Sequence, residues 1–164
     1  MENQFKLDLR SNYLRDIWQE FCEKHTQLYE VTCDEYMHLM ASEMDELEEC
    51  IDKKGIILKE IDQLDEHRQG ILTEISNLLS IEKPNKMSEL LERKEINQNI
   101  GEEIEKLNLV LVDIVEKIVA QNKKNQFFLN KALHSLHELK ESFGGKVNYD
   151  TYSSSGTKTK STSY

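Results

Sequence analysis

Residues 42–81 read SEMDELEECIDKKGIILKEIDQLDEHRQGILTEISNLLSI, and positions 44, 47, 51, 54, 58, 61, 65, 68, 72, 75 and 79 within them step by alternating threes and fours. They hold Met44, Leu47, Ile51, Lys54, Leu58, Ile61, Asp65, Arg68, Leu72, Ile75 and Leu79. A mostly apolar repeat averaging about 3.5 residues is the seam of a long helix lying along other helices. Its polar members, Lys54, Asp65 and Arg68, cost stability but can fix the register between neighbours.

On the N-terminal side of this stretch, Ser42, Glu43, Met44 and Asp45 have the form of a capping box that starts a helix with the Ser42 hydroxyl. An earlier helix is expected over about 8–40, ending near Met40. Leu14, Trp18, Phe21, Leu28 and Leu39 follow the same stepping, with Ile17 beside them and His25, Thr32 and Glu35 at intervening positions. On the C-terminal side, Pro84 lacks an amide donor and pushes Lys83 out of helical geometry, so the second helix is expected over about 42–81. A third is expected over about 86–143, with Glu89 and Glu92 complementing its positive end. Its seam runs Ile100, Ile104, Leu107, Leu111, Ile114 and Ile118, with no breaker before Gly144 and Gly145. Gly55, Gly70 and Gly101 fall inside helices, each at a cost of about 1 kcal/mol relative to Ala.

The expected architecture is all-α: a helical hairpin plus a longer third helix, three long antiparallel helices in a coiled-coil-like bundle over 1–143. At 1.5 Å per residue the second helix reaches about 57 Å and the third about 87 Å. Running antiparallel from the Pro84 turn, the third helix overtakes its partner near residue 123, so about 124–143 is expected to project or fold back. The polar run Gln121, Asn122, Lys123, Lys124, Asn125, Gln126 interrupts the seam at the same place. Beyond it Phe127, Phe128, Leu129, Ala132, Leu133, Leu136, Leu139 and Phe143 make a wide stripe on one helix face. An amphipathic helix lacking a partner within the chain is a candidate surface for another protein. The same stripe also leaves open a fold-back onto the aromatic first helix, or a homodimer. From residue 144 to 164 the chain is mostly Ser, Thr, Lys, Tyr, Gly and Asn with little to bury, so a disordered tail is expected.

The formal net charge is -10, and no cluster of Lys and Arg interleaved with aromatics occurs before the tail, which excludes nucleic acid as the expected partner. The N-terminus lacks the apolar stretch of a signal peptide, and the longest apolar run, Leu109 to Val112, stops at Asp113, too short to cross a bilayer. A cytosolic protein without direct membrane insertion is the expectation. Cys22, Cys33 and Cys50 lack zinc or redox spacing and read as reduced thiols.

No catalytic residues and no cofactor are expected. Glu35 and His38, three apart, have the spacing of a di-iron bundle pair, but no second such pair occurs. Cys22 with His25, and His134 with His137, are one turn apart without acidic ligands in a motif, so no metal is assigned and these residues read as helix surface. Gly-rich phosphate loops, nucleophile elbows and cysteine nucleophile motifs are missing from the sequence. The many Glu residues read as the solvated face of a coiled coil, and the chain reads as no enzyme.

The pattern Asn122-x-x-Asn125-x-x-Phe128-Leu129-x-x-Ala132-Leu133-x-x-Leu136, followed by Tyr152, Gly156 and Lys158 in the tail, resembles the FlgN family of flagellar type III export chaperones. The family's order of features is similar too: a Leu/Glu-rich hairpin, a long final helix and a short loose tail. The resemblance implies a cytosolic bacterial chaperone that binds the hook-filament junction proteins FlgK and FlgL and delivers them to the membrane export gate. The related FliT type, which serves the filament cap protein FliD, is similar in pattern and leaves the cap protein open as client. Carried over residue by residue, the family's client-binding helix falls on Phe128, Leu129, Ala132, Leu133, Leu136 and Leu139. A late aromatic contact with the export gate would fall on Tyr149 or Tyr152. The alternative is a scaffolding coiled coil that homodimerises through the same stripe.

Overall fold

The computed structural model describes residues 1–84 and 86–144 in full, and residues 151–152 and 158–159 by their backbone. In chain order these form α1 (Glu2–Ala41), α2 (Met44–Leu79), α3 (Met87–Leu91), α4 (Gln98–Gly144), β1 (Thr151–Tyr152) and β2 (Lys158–Thr159). The two short strands pair antiparallel, Thr151 opposite Thr159 and Tyr152 opposite Lys158. The rest of the expected disordered tail lies outside the described residues. The chain divides into two compact units, Met1–Asn125 and Gln126–Tyr164.

The first unit is the all-α bundle that the seams predict. Arg10 pairs with Glu74, Lys24 with Glu60 and Glu35 with Lys54, so residue numbers fall on α2 as they rise on α1, and the hairpin is antiparallel. Against α4 the numbers rise together: Arg15 meets Glu103, Trp18 meets Asn108 and the Thr32 carbonyl meets Asn125. The part of α4 before Gln126 therefore runs parallel to α1 and antiparallel to α2.

The joints differ from a capping box. Ser42 lies in left-handed backbone, φ 58° and ψ 33°, and its N–H donates to the Leu39 carbonyl while Glu43 N–H donates to that of His38. This is a Schellman ending of α1, and a residue so placed cannot also take the extended backbone of a helix N-cap. Glu43 holds the N-cap position of α2 without a side-chain cap bond, and its carboxylate lies 2.7 Å from His38 Nδ1. Ser80 repeats the device at φ 53°, with Ile81 N–H donating to the Ser76 carbonyl, so α2 ends before Pro84 is reached.

The span expected as a single third helix over about 86–143 is divided: α3 stops at Leu91 and α4 begins at Gln98. The Asn97 side-chain oxygen accepts the Asn99 N–H at 3.0 Å and the Asn97 carbonyl accepts that of Gly101, which makes Asn97 the N-cap. The turn drives Ile96 into the core beside Leu7, Leu14, Trp18, Leu72, Ile75, Leu90, Ile100 and Ile104, closing one end of the bundle. Leu7 lies in this cluster, and α1 starts at Glu2 to carry it there. Smaller clusters follow along the bundle, first Ile17, Phe21 and Leu64, then Leu28, Ile57 and Ile118. Each fully buried Leu or Ile contributes about 1.5–3 kcal/mol.

Within α2 the buried line is rotated by one position from the expected seam. Leu47, Cys50, Ile57, Leu64, Leu72 and Ile75 are buried, whereas Met44, Ile51 and Leu58 are exposed. Positions 47, 54, 61, 68 and 75 belong to either line, and the choice between 50, 57, 64 and 51, 58, 65 is made by what α1 and α4 present.

A polar layer crosses the first unit where its stretch of α4 ends. Lys54 Nζ donates to Glu35 at 2.8 Å and to Asn122 Oδ1 at 2.9 Å, joining all three long helices through side chains only 19% exposed on Lys54 and Glu35. One turn on, buried Asn125 donates to the Thr32 carbonyl at 2.9 Å and accepts from Gln121 at 2.9 Å. Gln121, Asn122 and Asn125 of the polar run are thus built into the bundle by matched bonds. Asp65 and Arg68 pair with each other at 2.7 Å, and the Arg68 guanidinium lies 5.8 Å from the Trp18 ring centre.

Candidate partner-binding surface

In the second unit the described part of α4 continues the amphipathic pattern. Leu129, Leu133, Leu136 and Leu139 are exposed, as are Phe127 and Phe143, and Leu136 stands 62% and Phe143 78% open. Ala132 is also exposed, and Phe128 is half-buried. The steps 129, 132/133, 136, 139 and 143 bring these side chains, Phe127 apart, onto one face. The six residues singled out from the sequence, Phe128, Leu129, Ala132, Leu133, Leu136 and Leu139, therefore share one side of one helix.

The remaining surface of this helix is polar, with several pairs one turn apart. Gln126 bonds Asn130 at 3.0 Å, His134 lies 3.4 Å from Glu138, and His137 lies 3.4 Å from Glu141. Each histidine thus has a carboxylate one turn on, and His134 and His137 do not come together with a third ligand. Among the described residues no group of three His, Cys, Asp or Glu is placed to hold a metal. Cys22 Sγ donates to the Leu107 carbonyl at 3.3 Å and His25 Nδ1 lies 2.7 Å from the Phe21 carbonyl, both side chains engaged by helix backbone. Burial pushes the Cys22 and Cys50 thiols up, with Glu23 and Asp34 adding to the effect, which leaves them weak nucleophiles.

A contiguous apolar face on an otherwise polar helix is equipped for one kind of chemistry, the covering of another apolar helix. Tyr149 lies outside the described residues, and of Tyr152 only the backbone, in β1, is described. Sequence reasoning passed over a second exposed apolar line on α4, comprising Leu109, Val112, Val115 and Val119. The spacing of these four residues, beyond the length of the run from Leu109 to Val112, is the signal that points to it.

A family model described as FlgN protein matches residues 9–160. The chain belongs to the FlgN family. This places it among flagellar export chaperones, a family of binding proteins rather than enzymes, and the long-helix bundle is in keeping with that work. No helix among the described residues is long and apolar enough to cross a membrane. Searches of curated proteins and of solved structures returned no match.

Proposed function

We propose that this FlgN-family chain is a cytoplasmic chaperone for hook-filament junction proteins of the FlgK and FlgL type, holding them through Phe128, Leu129, Ala132, Leu133, Leu136 and Leu139. The observation that carries the reading is the exposed face from Leu129 to Leu139 just past the polar layer. A client helix laid on it would exchange solvated leucines for a shared apolar contact. While covered, the client's helix is kept from assembling early. Delivery to the membrane export gate is assigned to the tail, with Tyr149 and Tyr152 as the contacts.

The test is co-purification and titration of purified junction and cap proteins with the full chain, with Leu133→Glu/Leu136→Glu, and with a chain ending at Gln126. Burying two leucines is worth about 3 kcal/mol or more, so the double substitution is expected to weaken client binding by about 100-fold or more. Helicity and melting temperature should stay close to those of the unsubstituted chain, because neither side chain is buried. Selective capture of the cap protein would replace the client. A double variant that binds normally, or one that unfolds, would remove this face as the binding surface.

A further inference from the structure

We infer that the outer groove between α1 and α2 takes an amphipathic, Lys- or Arg-bearing helix of a partner protein. On α1, Trp18 bonds Asn108 and Cys22 bonds the Leu107 carbonyl, so that side of the helix belongs to α4. Tyr13 and Glu20 lie about 170° around the helix from them, facing away from α4. With α2 they line a run of three depressions of about 750, 470 and 300 Å³, the first two sharing Glu74 and the last two sharing Glu20 and His67. The run follows α1 from Glu2 to Lys24. That is about 33 Å, the length of a helix of about 22 residues.

The floor of this groove is apolar and its walls are acidic. Phe5, Leu9 and Tyr13 step by fours along α1 and stand 70%, 41% and 45% open, and Ile17 with Ile71 continues the floor between the two helices. Gly70 adds no side chain, and a Cβ there would meet nothing within 4 Å, so another backbone can come close to α2 at this point. Asp16, Glu20, Glu66 and Glu74 stand around the middle depression. Asp16 is taken up by Arg15 and Glu74 by Arg10, whereas Glu20 and Glu66 have no ion pair or hydrogen bond among the described residues. Lys24, the cation of the last depression, is bonded to Glu60 at 2.6 Å. Two unpaired carboxylates beside an apolar floor are complementary to a cation carried on an apolar body. Two packed helices leave a channel into which a third fits ridge to groove, which makes that body a helix. Nucleic acid and anionic membrane carry the wrong charge for these walls. None of Phe128 to Leu139 takes part, so this inference and the client-binding reading fail separately.

The measurement is fluorescence anisotropy of a labelled synthetic peptide of about 22 residues, Leu on one helical face and Lys on the other. It is titrated with the full chain, unsubstituted and carrying Leu133→Glu/Leu136→Glu, so that the client face does not answer for the groove. Binding is expected at a Kd of about 1–50 μM in both chains. A peptide of the same composition scrambled to lack an apolar face should bind about ten-fold more weakly, and one with Glu in place of Lys should not bind. Glu20→Gln/Glu66→Gln is expected to weaken binding by about ten-fold, and Glu46→Gln/Glu48→Gln, the same loss of charge at exposed positions outside the groove, to leave it unchanged. Gly70→Phe should fill the groove and abolish binding without lowering the melting temperature. Absence of binding would overturn the inference, as would equal effects of the two Gln pairs or indifference to Gly70→Phe. So would sedimentation showing the groove closed by a second copy of the chain that Gly70→Phe releases.

Discussion

Ser42 and Ser80 both occupy left-handed backbone, where a Cβ crowds the following carbonyl and glycine is the usual occupant. Ser42→Gly and Ser80→Gly are each expected to stabilise the fold by about 0.5–1 kcal/mol and raise the melting temperature by about 2–3 °C, whereas Ser80→Val should lower it. Thermal denaturation followed by circular dichroism decides this. The sequence announced a boundary at each place, since Ser42 sits between two seams and Ser80 precedes Pro84. It did not disclose how the boundary is made, because serine serves a helix start by its hydroxyl and a helix end only by tolerating the backbone. Asn97 was harder to see: the residue three ahead is Ile100 rather than Glu or Gln, so no capping box marks the start of α4.

Among the elements, α2 shows what periodicity conveys and what it withholds. A three-four repeat identifies a long helix, but the adjacent pairs Ile56 with Ile57 and Ile71 with Leu72 supply apolar side chains on neighbouring lines. Burial of Cys50 rather than Ile51 is settled by the neighbouring helices, which a single helix's pattern does not contain. Lys54 lies on both lines and was legible as a register-setting residue; its partners Glu35 and Asn122 come from distant parts of the chain and were not. Lys54→Met leaves the Glu35 carboxylate without its cation in a largely enclosed site, and should cost about 1–3 kcal/mol in urea unfolding. Lys54→Met/Glu35→Leu should recover most of that loss, because the two apolar side chains leave no uncompensated charge.

For the whole molecule, the long helices and the apolar face beyond residue 126 were readable because each is a local pattern, while the break at 92–97 and the polar layer depend on contacts between elements. Stability of the bundle should also follow pH through its enclosed thiols. Burial raises Cys22 and Cys50 above their ordinary value of 9.0, so the folded chain holds these protons more tightly than the unfolded chain does. Their contribution is complete below about pH 9 and is lost as pH rises through the raised folded values. The melting temperature is therefore expected to fall above about pH 9, and Cys22→Ala/Cys50→Ala to flatten that fall. An identical slope in the two chains would mean that other groups govern the alkaline limit.

Asn125, bonded to the Thr32 carbonyl, is where the enclosed part of the chain stops. Up to it, inherited changes at the enclosed positions Ile100, Ile104, Ile118 and Asn125 itself must suit the packing of the bundle, and most will be eliminated for that reason. After it, Leu129, Leu133, Leu136, Leu139 and Phe143 face water, and exchanging one apolar side chain for another there disturbs no buried packing. A lineage carrying this architecture is free to drift in what it recognises while its scaffold is held constant, so divergence among descendants should accumulate chiefly on one side of a single asparagine.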